Sequence, residues 1–184
     1  GEETASTKEQ FAQATNAFAL RLYAVLAKQP GNLFFSPYSL EAALAMTKEG
    51  ARGETEKQMR RTLGLPGGEV APAYAALDAD LTALSKRTGC RLNTANALWV
   101  GKGETLLPGF LGQLKTHYGA AATPVDFGDG AGAAKIINSW VEKQTEEKIK
   151  DLLTADNVAG GALVLTNAIY FKAEWASRFD PRKT

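Results

Sequence analysis

The chain has 184 residues, 45% of them hydrophobic and 22% charged, which suffices to bury a sizeable core within one domain or a large part of one. A formal net charge of +1 gives no electrostatic reason to expect nucleic acid or an acidic membrane surface as a partner, and no apolar tract reaches the length of a membrane span. The single cysteine, Cys90, excludes an intrachain disulfide and a cysteine-rich metal site, and it reads as a small buried or half-buried residue. Gly1-Glu2-Glu3-Thr4 lacks the basic and apolar regions of a signal peptide, so either none was made or it was removed.

In chain order, Phe11, Phe18, Leu22, Val25 and Leu26 recur at helical spacing until Gln29-Pro30-Gly31 stops the pattern, which predicts a first helix. Asn32-Leu33-Phe34-Phe35 reads as a short apolar strand. Ser36-Pro37 offers an N-cap followed by proline at the first helical position, so a second helix starts at Pro37 and ends at Gly50. Leu40, Ala43, Leu44 and Thr47 are its expected packing face. Thr55 caps a short third helix carrying Met59 and Leu63 and ending at Gly64, and Leu65-Pro66-Gly67-Gly68 is a loop. A fourth helix, Tyr74 to about Ser85, aligns Tyr74, Leu77, Leu81 and Leu84.

The period then changes to two, and Arg91–Val100 reads as a long strand whose asparagines, Asn93 and Asn96, ask for partners. Gly101-Lys102-Gly103 resembles half of a phosphate-binding turn that nothing completes, so a hairpin turn is the default reading. Pro108 opens a helix with Phe110, Leu114 and Tyr118 that Gly119 ends. Ala122–Phe127 is a short strand, and Ala133 to about Thr145 is an amphipathic helix presenting Ile137, Trp140, Val141 and Gln144. After a linker with Ile149 and Leu152-Leu153, the run from Ala162 to Phe171, continued to Trp175, is the most strand-like segment of all. It is apolar on both alternating faces, as a strand covered on both sides would be. One residue does not fit. Asn167 sits in its middle, and a buried amide without partners costs about 1–3 kcal/mol, so other parts of the chain must hold it. Helices first, strands interleaved and no strict βαβ rhythm make this an α+β protein without repeats.

The search for catalytic chemistry is negative. His117 is the only histidine and reads as a solvated helix residue. No HExxH, GxSxG, GxxxxGK[ST] or DxDxDG motif occurs, which removes the common zinc-protease, hydrolase, P-loop and calcium-loop readings. Arg52, Lys57, Arg60 and Arg61 form the densest basic cluster, but Glu54 and Glu56 are interleaved, so a solvated face is expected. Glu146-Glu147 lies among lysines, where nothing would raise a carboxyl pKa for acid work. The chain is therefore not read as an enzyme, and no catalytic, metal or cofactor residue is assigned.

Several long stretches resemble the serpin family of serine protease inhibitors. They include Asn16–Leu20, Gly31–Leu40, Gly50–Thr55, Ala95–Val100, Val125–Phe127, Ile137–Val141, Lys148–Leu153 and Leu163–Trp175, and the resemblance runs in order from about Asn16 to Thr184. It implies a serpin-like α+β fold, helices with a large central mixed β-sheet, of which this chain is the N-terminal part. A helical region of about 8–89 would precede sheet strands and a covering helix of about 90–184. In the family's terms the segment from Arg91 is similar to the second strand of that sheet and the run from Ala162 to its third, with the helix from Ala133 lying across it.

The resemblance implies a trap in which a reactive loop, once cut by the target protease, inserts as a new strand beside the third; serpin loop insertion is a well-known instance of strand addition and released strain. The loop would lie C-terminal to Thr184, so the scissile bond is not in this sequence. By the same resemblance Ser36, Ser39, Asn138 and Asn167 match the shutter, the polar cluster where strands part, and Trp175 matches the breach, where insertion begins. The implied partners are a target serine protease and the remaining C-terminal part of the domain, in an extracellular protein or alternatively a cytoplasmic one. A non-inhibitory carrier or chaperone-like protein of the same fold is the alternative. Ala173, Glu147 and Lys48 depart from the family's usual Gly, Gly or Asn, and aromatic residue. The fourth helix carries Asp78 and Asp80 and few basic residues, so heparin activation is not expected.

Overall fold

In the computed structural model, which describes residues 2–180, 182 and 183, four helices precede the first strand: α1 (Glu2–Leu26), α2 (Pro37–Gly50), α3 (Gly53–Leu63) and α4 (Val70–Thr88). The local chemistry explains their ends. Ser36 caps α2 by accepting the Ser39 amide, with Pro37 at the first helical position. Gly64 and Gly89 terminate α3 and α4 in the left-handed conformation, which costs a residue without Cβ little. None of the helices is long and apolar enough to cross a membrane among the described residues.

The remaining elements are β1 (Arg91–Gly101), α5 (Pro108–Tyr118), β2 (Ala121–Val125), α6 (Gly130–Gln144), the single turn α7 (Ala155–Val158) and β3 (Leu163–Lys172). The strands form one mixed sheet in the order β2-β1-β3. β1 runs parallel to β2, which requires a crossover, and α5 supplies it. β1 and β3 are antiparallel over ten residue pairs, with Asn96 directly opposite Asn167. Pro124 is tolerated in β2 because β2 is an edge strand.

Alternation along the strands divides the interior in two. On one face Leu98 and Val100 join Phe11, Ala45, Met46, Tyr74, Leu114 and Tyr118 in a core between the sheet and α1, α2, α4 and α5. On the other, Ala97, Trp99 and Ala168 pack under Ile137 and Val141 of α6. The sheet is therefore covered on both sides, as the apolar pattern of the last strand predicts.

Several expectations change. Asn32–Phe35 is not a strand: Phe34 is 99% exposed, and no described strand lies alongside to take up its backbone groups. Helix α2 buries Glu41, Ala42, Ala45, Met46 and Lys48, and Leu40 and Leu44 face outward. The helix is apolar on nearly every side, so choosing its packing face by the largest side chains selects the wrong one. Helix α3 starts at Gly53 with Arg52 at its cap, not at Thr55, and α4 begins four residues earlier than expected, burying Val70, Ala71 and Ala73. Gly101-Lys102-Gly103 turns the chain toward α5 and not into a hairpin.

The basic cluster is not merely solvated. Arg60 donates to Glu56, to the Pro66 carbonyl and, at 3.2 Å, to the Gly68 carbonyl, strapping the loop after α3 onto the helix. Lys48 is buried with its ammonium 3.7 Å from both Glu49 and Glu56.

Candidate functional site: a polar relay through the sheet

The side chain of Asn167 leaves β3 on the face that looks toward α2. Ser39, in the first turn of α2, donates its hydroxyl to Asn167 Oδ1. Asn167 Nδ2 donates in turn to Asn96 Oδ1 on β1, at 2.7 Å. Asn96 Nδ2 then donates to the Tyr118 carbonyl at the end of α5, at 2.8 Å, and makes a longer contact of 3.4 Å with the Tyr74 hydroxyl of α4. One unbroken chain of hydrogen bonds thus joins a helix N-terminus, two neighbouring strands and two further helices. It answers the demand for partners that Asn167 makes in the sequence.

Local rules put each member in place. Ser36 is spent on the helix: its Oγ accepts the Ser39 amide at 3.3 Å, which leaves the Ser39 hydroxyl free to reach the sheet. The antiparallel register sets Asn96 opposite Asn167, and Asn96 is only 9% exposed, so its amide requires partners. Beside the relay Asp78 accepts from both the Tyr38 hydroxyl and the Thr94 hydroxyl at 2.8 Å, tying α2 and β1 to α4. Tyr38 and Tyr118 stack on the two faces of Tyr74, with ring centroids 5.7 and 4.6 Å away. Burial pushes all three phenols up from their ordinary range, helped at Tyr38 and Tyr118 by nearby phenols and carboxylates, so they act as neutral donors and acceptors throughout the physiological range.

Three of the expected shutter residues, Ser36, Ser39 and Asn167, come together. Asn138 stands apart, on α6. Its amide clamps the linker that leads to β3, donating to the Leu153 carbonyl at 2.8 Å and accepting the Leu153 amide at 2.9 Å. Trp175 lies beyond the end of β3, is 71% exposed, and meets Phe179 edge to face with centroids 5.3 Å apart. Asn96 is the member not assigned from the sequence. Its signal was present as a polar residue in an apolar strand, but its pairing with Asn167 depends on a register that only the folded sheet defines.

The relay cannot do acid–base or nucleophilic chemistry. Amides and hydroxyls at these positions have no titration near neutrality and no activating base. Among the described residues no cluster of three metal-ligating side chains occurs. What the arrangement does is mechanical: it fixes how far β1 and β3 lie from α2. On its other side β3 has no strand partner among the described residues.

A family model described as Serpin (serine protease inhibitor) matches residues 13–184. An uncharacterized serpin-like protein of Thermococcus kodakarensis is 45% identical over 174 residues, 93% of this chain and 40% of that protein. The leukocyte elastase inhibitor of Bos taurus is 39% identical over 175 residues, 93% of this chain and 46% of that protein. Among solved structures, a cleaved serpin, Serpin 42Da, superposes with a TM-score of 0.83 at 34% identity, covering 96% of this chain and 47% of that one. The chain thus spans less than half the length of each of these three relatives.

Proposed function

The chain belongs to the serpin family, and from that premise we propose that it supplies the latch and half of the central sheet of an inhibitor that traps serine proteases. In this reading it is the N-terminal part of a single serpin domain, with the helical region at about 8–89 and the sheet region at about 90–184. The observation that carries the reading is the relay Ser39–Asn167–Asn96, which holds β3 from the sheet face and from β1 while the opposite edge of β3 has no strand partner among the described residues. A strand meant to accept a new neighbour must be held to the rest of the molecule by contacts that do not use that edge. The relay provides such contacts from the face of the sheet, so a cleaved reactive loop in the remainder of the protein can pair with β3 without breaking its link to β1. Asn138 fixes the linker by which the covering helix α6 hands the chain to β3, and Trp175 marks the end of β3 where insertion starts. The chain has no catalytic role in this scheme.

The test is incubation of the full-length protein with a panel of serine proteases. The expected product is a complex that survives boiling in detergent, one inhibitor per protease. A panel that yields only cleaved inhibitor and free, active protease overturns the reading.

A further inference from the structure

Glu41 is a buried charged side chain outside the relay. It lies in α2, is 0% exposed, and among the described residues neither of its carboxyl oxygens has a hydrogen-bond partner. An ionised carboxylate in that position has lost its water and gained less than that in exchange. Burial accordingly pushes Glu41 up to about 7, against the smaller pull of Thr15 and Arg21 on α1. Both neighbours have other partners: the Thr15 hydroxyl donates to the Phe11 carbonyl at 3.0 Å, and Arg21 donates to the Thr62 carbonyl at 3.2 Å. From α5 the titratable neighbour is Tyr118, whose phenol is raised by burial and lies 3.5 Å from Glu49. On α4, Tyr74 and Asp78 are committed to Asn96 and to Tyr38 and Thr94. On α2 itself, Lys48 is paired with Glu49 and with Glu56 of α3.

The position of Glu41 on its helix supplies the coupling. Two residues along an α-helix rotate by about 200°, so Ser39 and Glu41 leave α2 on nearly opposite sides. Ser39 reaches β3, and Glu41 is buried toward α1 and α5. A helix one turn of which is held by Asn167 and whose back carries an unsolvated carboxyl cannot move to hydrate the one without disturbing the other.

We propose that Glu41 is a pH-operated control on the latch: when it loses its proton, α2 shifts to hydrate the carboxylate, the hold of Ser39 on Asn167 loosens, and β3 parts more easily. The direction follows from linkage. Below the ordinary glutamate range the carboxyl is protonated in closed and open states alike. As pH rises toward 7 the open state loses its proton first, so the closed state becomes progressively less favoured, by up to about tenfold per pH unit, and above 7 that advantage is gone. This role deepens the latch reading given above and rests on it for its consequence, but its test involves no protease.

In the full-length protein, amide hydrogen exchange of residues 163–172 is measured between pH 5 and 8 after correction for intrinsic rates, alongside the 13C titration of the Glu41 carboxyl. The expected result is a midpoint near 7 and a loss of protection of about tenfold or more on going from pH 5 to 8. Glu41→Gln, and Glu41→Met should the first variant not fold, make protection independent of pH over that range. A Glu41 midpoint in the ordinary carboxylate range overturns the proposal. So does a midpoint near 7 with β3 protection unchanged, or a pH profile in both variants that matches the parent. Failure to trap any protease, with the exchange profile as expected, would overturn the inhibitor reading and leave the switch standing.

Discussion

Asn167 serves two partners at once, accepting from Ser39 and donating to Asn96, so its removal strands polar groups on both sides. In Asn167→Ala the Asn96 oxygen loses its donor inside the sheet and the Ser39 hydroxyl loses its acceptor, a loss of about 2 kcal/mol or more. The expected outcome is a lowered midpoint of thermal unfolding in the full-length protein together with polymer on native gels after mild heating. An unchanged midpoint with no polymer would count against the latch. Glu147 is a residue of the opposite kind. Its φ is +61°, a left-handed conformation that costs a side chain with a Cβ about 1–2 kcal/mol, and Glu146 and Asp151 beside it share the strain at +48° and +49°. Glycine at 147 removes that strain at an entropic cost of about 0.5–1 kcal/mol. Glu147→Gly is therefore expected to raise the urea midpoint, by about 0.5–1 kcal/mol in stability. A lower midpoint would show that the glutamate side chain contributes something the backbone angle does not reveal.

At the scale of elements, the first turn of α2 does two jobs with two serines, and they separate by mutation. Ser36→Ala removes the helix cap, a loss of about 1 kcal/mol, while leaving Ser39 in contact with Asn167. Ser39→Ala leaves the cap, whose acceptor is Ser36 Oγ and whose donor is a backbone amide, but cuts the tie to the sheet. Both variants are expected to unfold at lower temperature, and only Ser39→Ala should expose the amides of β3 to faster hydrogen exchange. Equal exchange in the two would mean that the cap and the tie are not distinct. The same turn shows what is legible in a sequence. Ser36-Pro37 is read without a structure because capping involves residues three apart, and the glycines at 64, 89 and 119 end helices by a conformational preference of their own. Asn167 announces itself as a polar residue in an apolar strand. Glu41 does not, because its environment is set by α1 and α5, and because the outward-facing Leu40 and Leu44 make the wrong side of α2 look like the core. The failed strand at Asn32–Phe35 has a similar cause: an apolar run states that it needs cover, and pairing is decided by what lies next to it.

For the whole molecule the balance between covered and uncovered surface is uneven. The two faces of the sheet are packed, yet Phe34 is 99% exposed, Leu20 72%, Trp175 71% and Phe171 67%, and one edge of β3 has no strand partner among the described residues. Phe34 and Phe171 line one apolar recess with Pro37, Ile149 and Ile169, so these two form a shared patch, which Leu20 and Trp175 do not line. A patch of that kind beside a free strand edge is a surface for association. A polypeptide of residues 1–184 alone is therefore expected to elute from size-exclusion chromatography well above its 19.6 kDa. Phe34→Asp combined with Phe171→Lys should shift it toward the monomer, because a charge on the patch and another at the strand edge both oppose pairing with a second copy. Neither residue takes part in the relay, so protection of the β1 and β3 amides should survive the double change. A symmetrical monomer peak from the unaltered polypeptide would mean that the patch is closed in solution by a rearrangement of the 27–36 segment, and loss of protection in the double variant would mean that the patch itself supports the sheet.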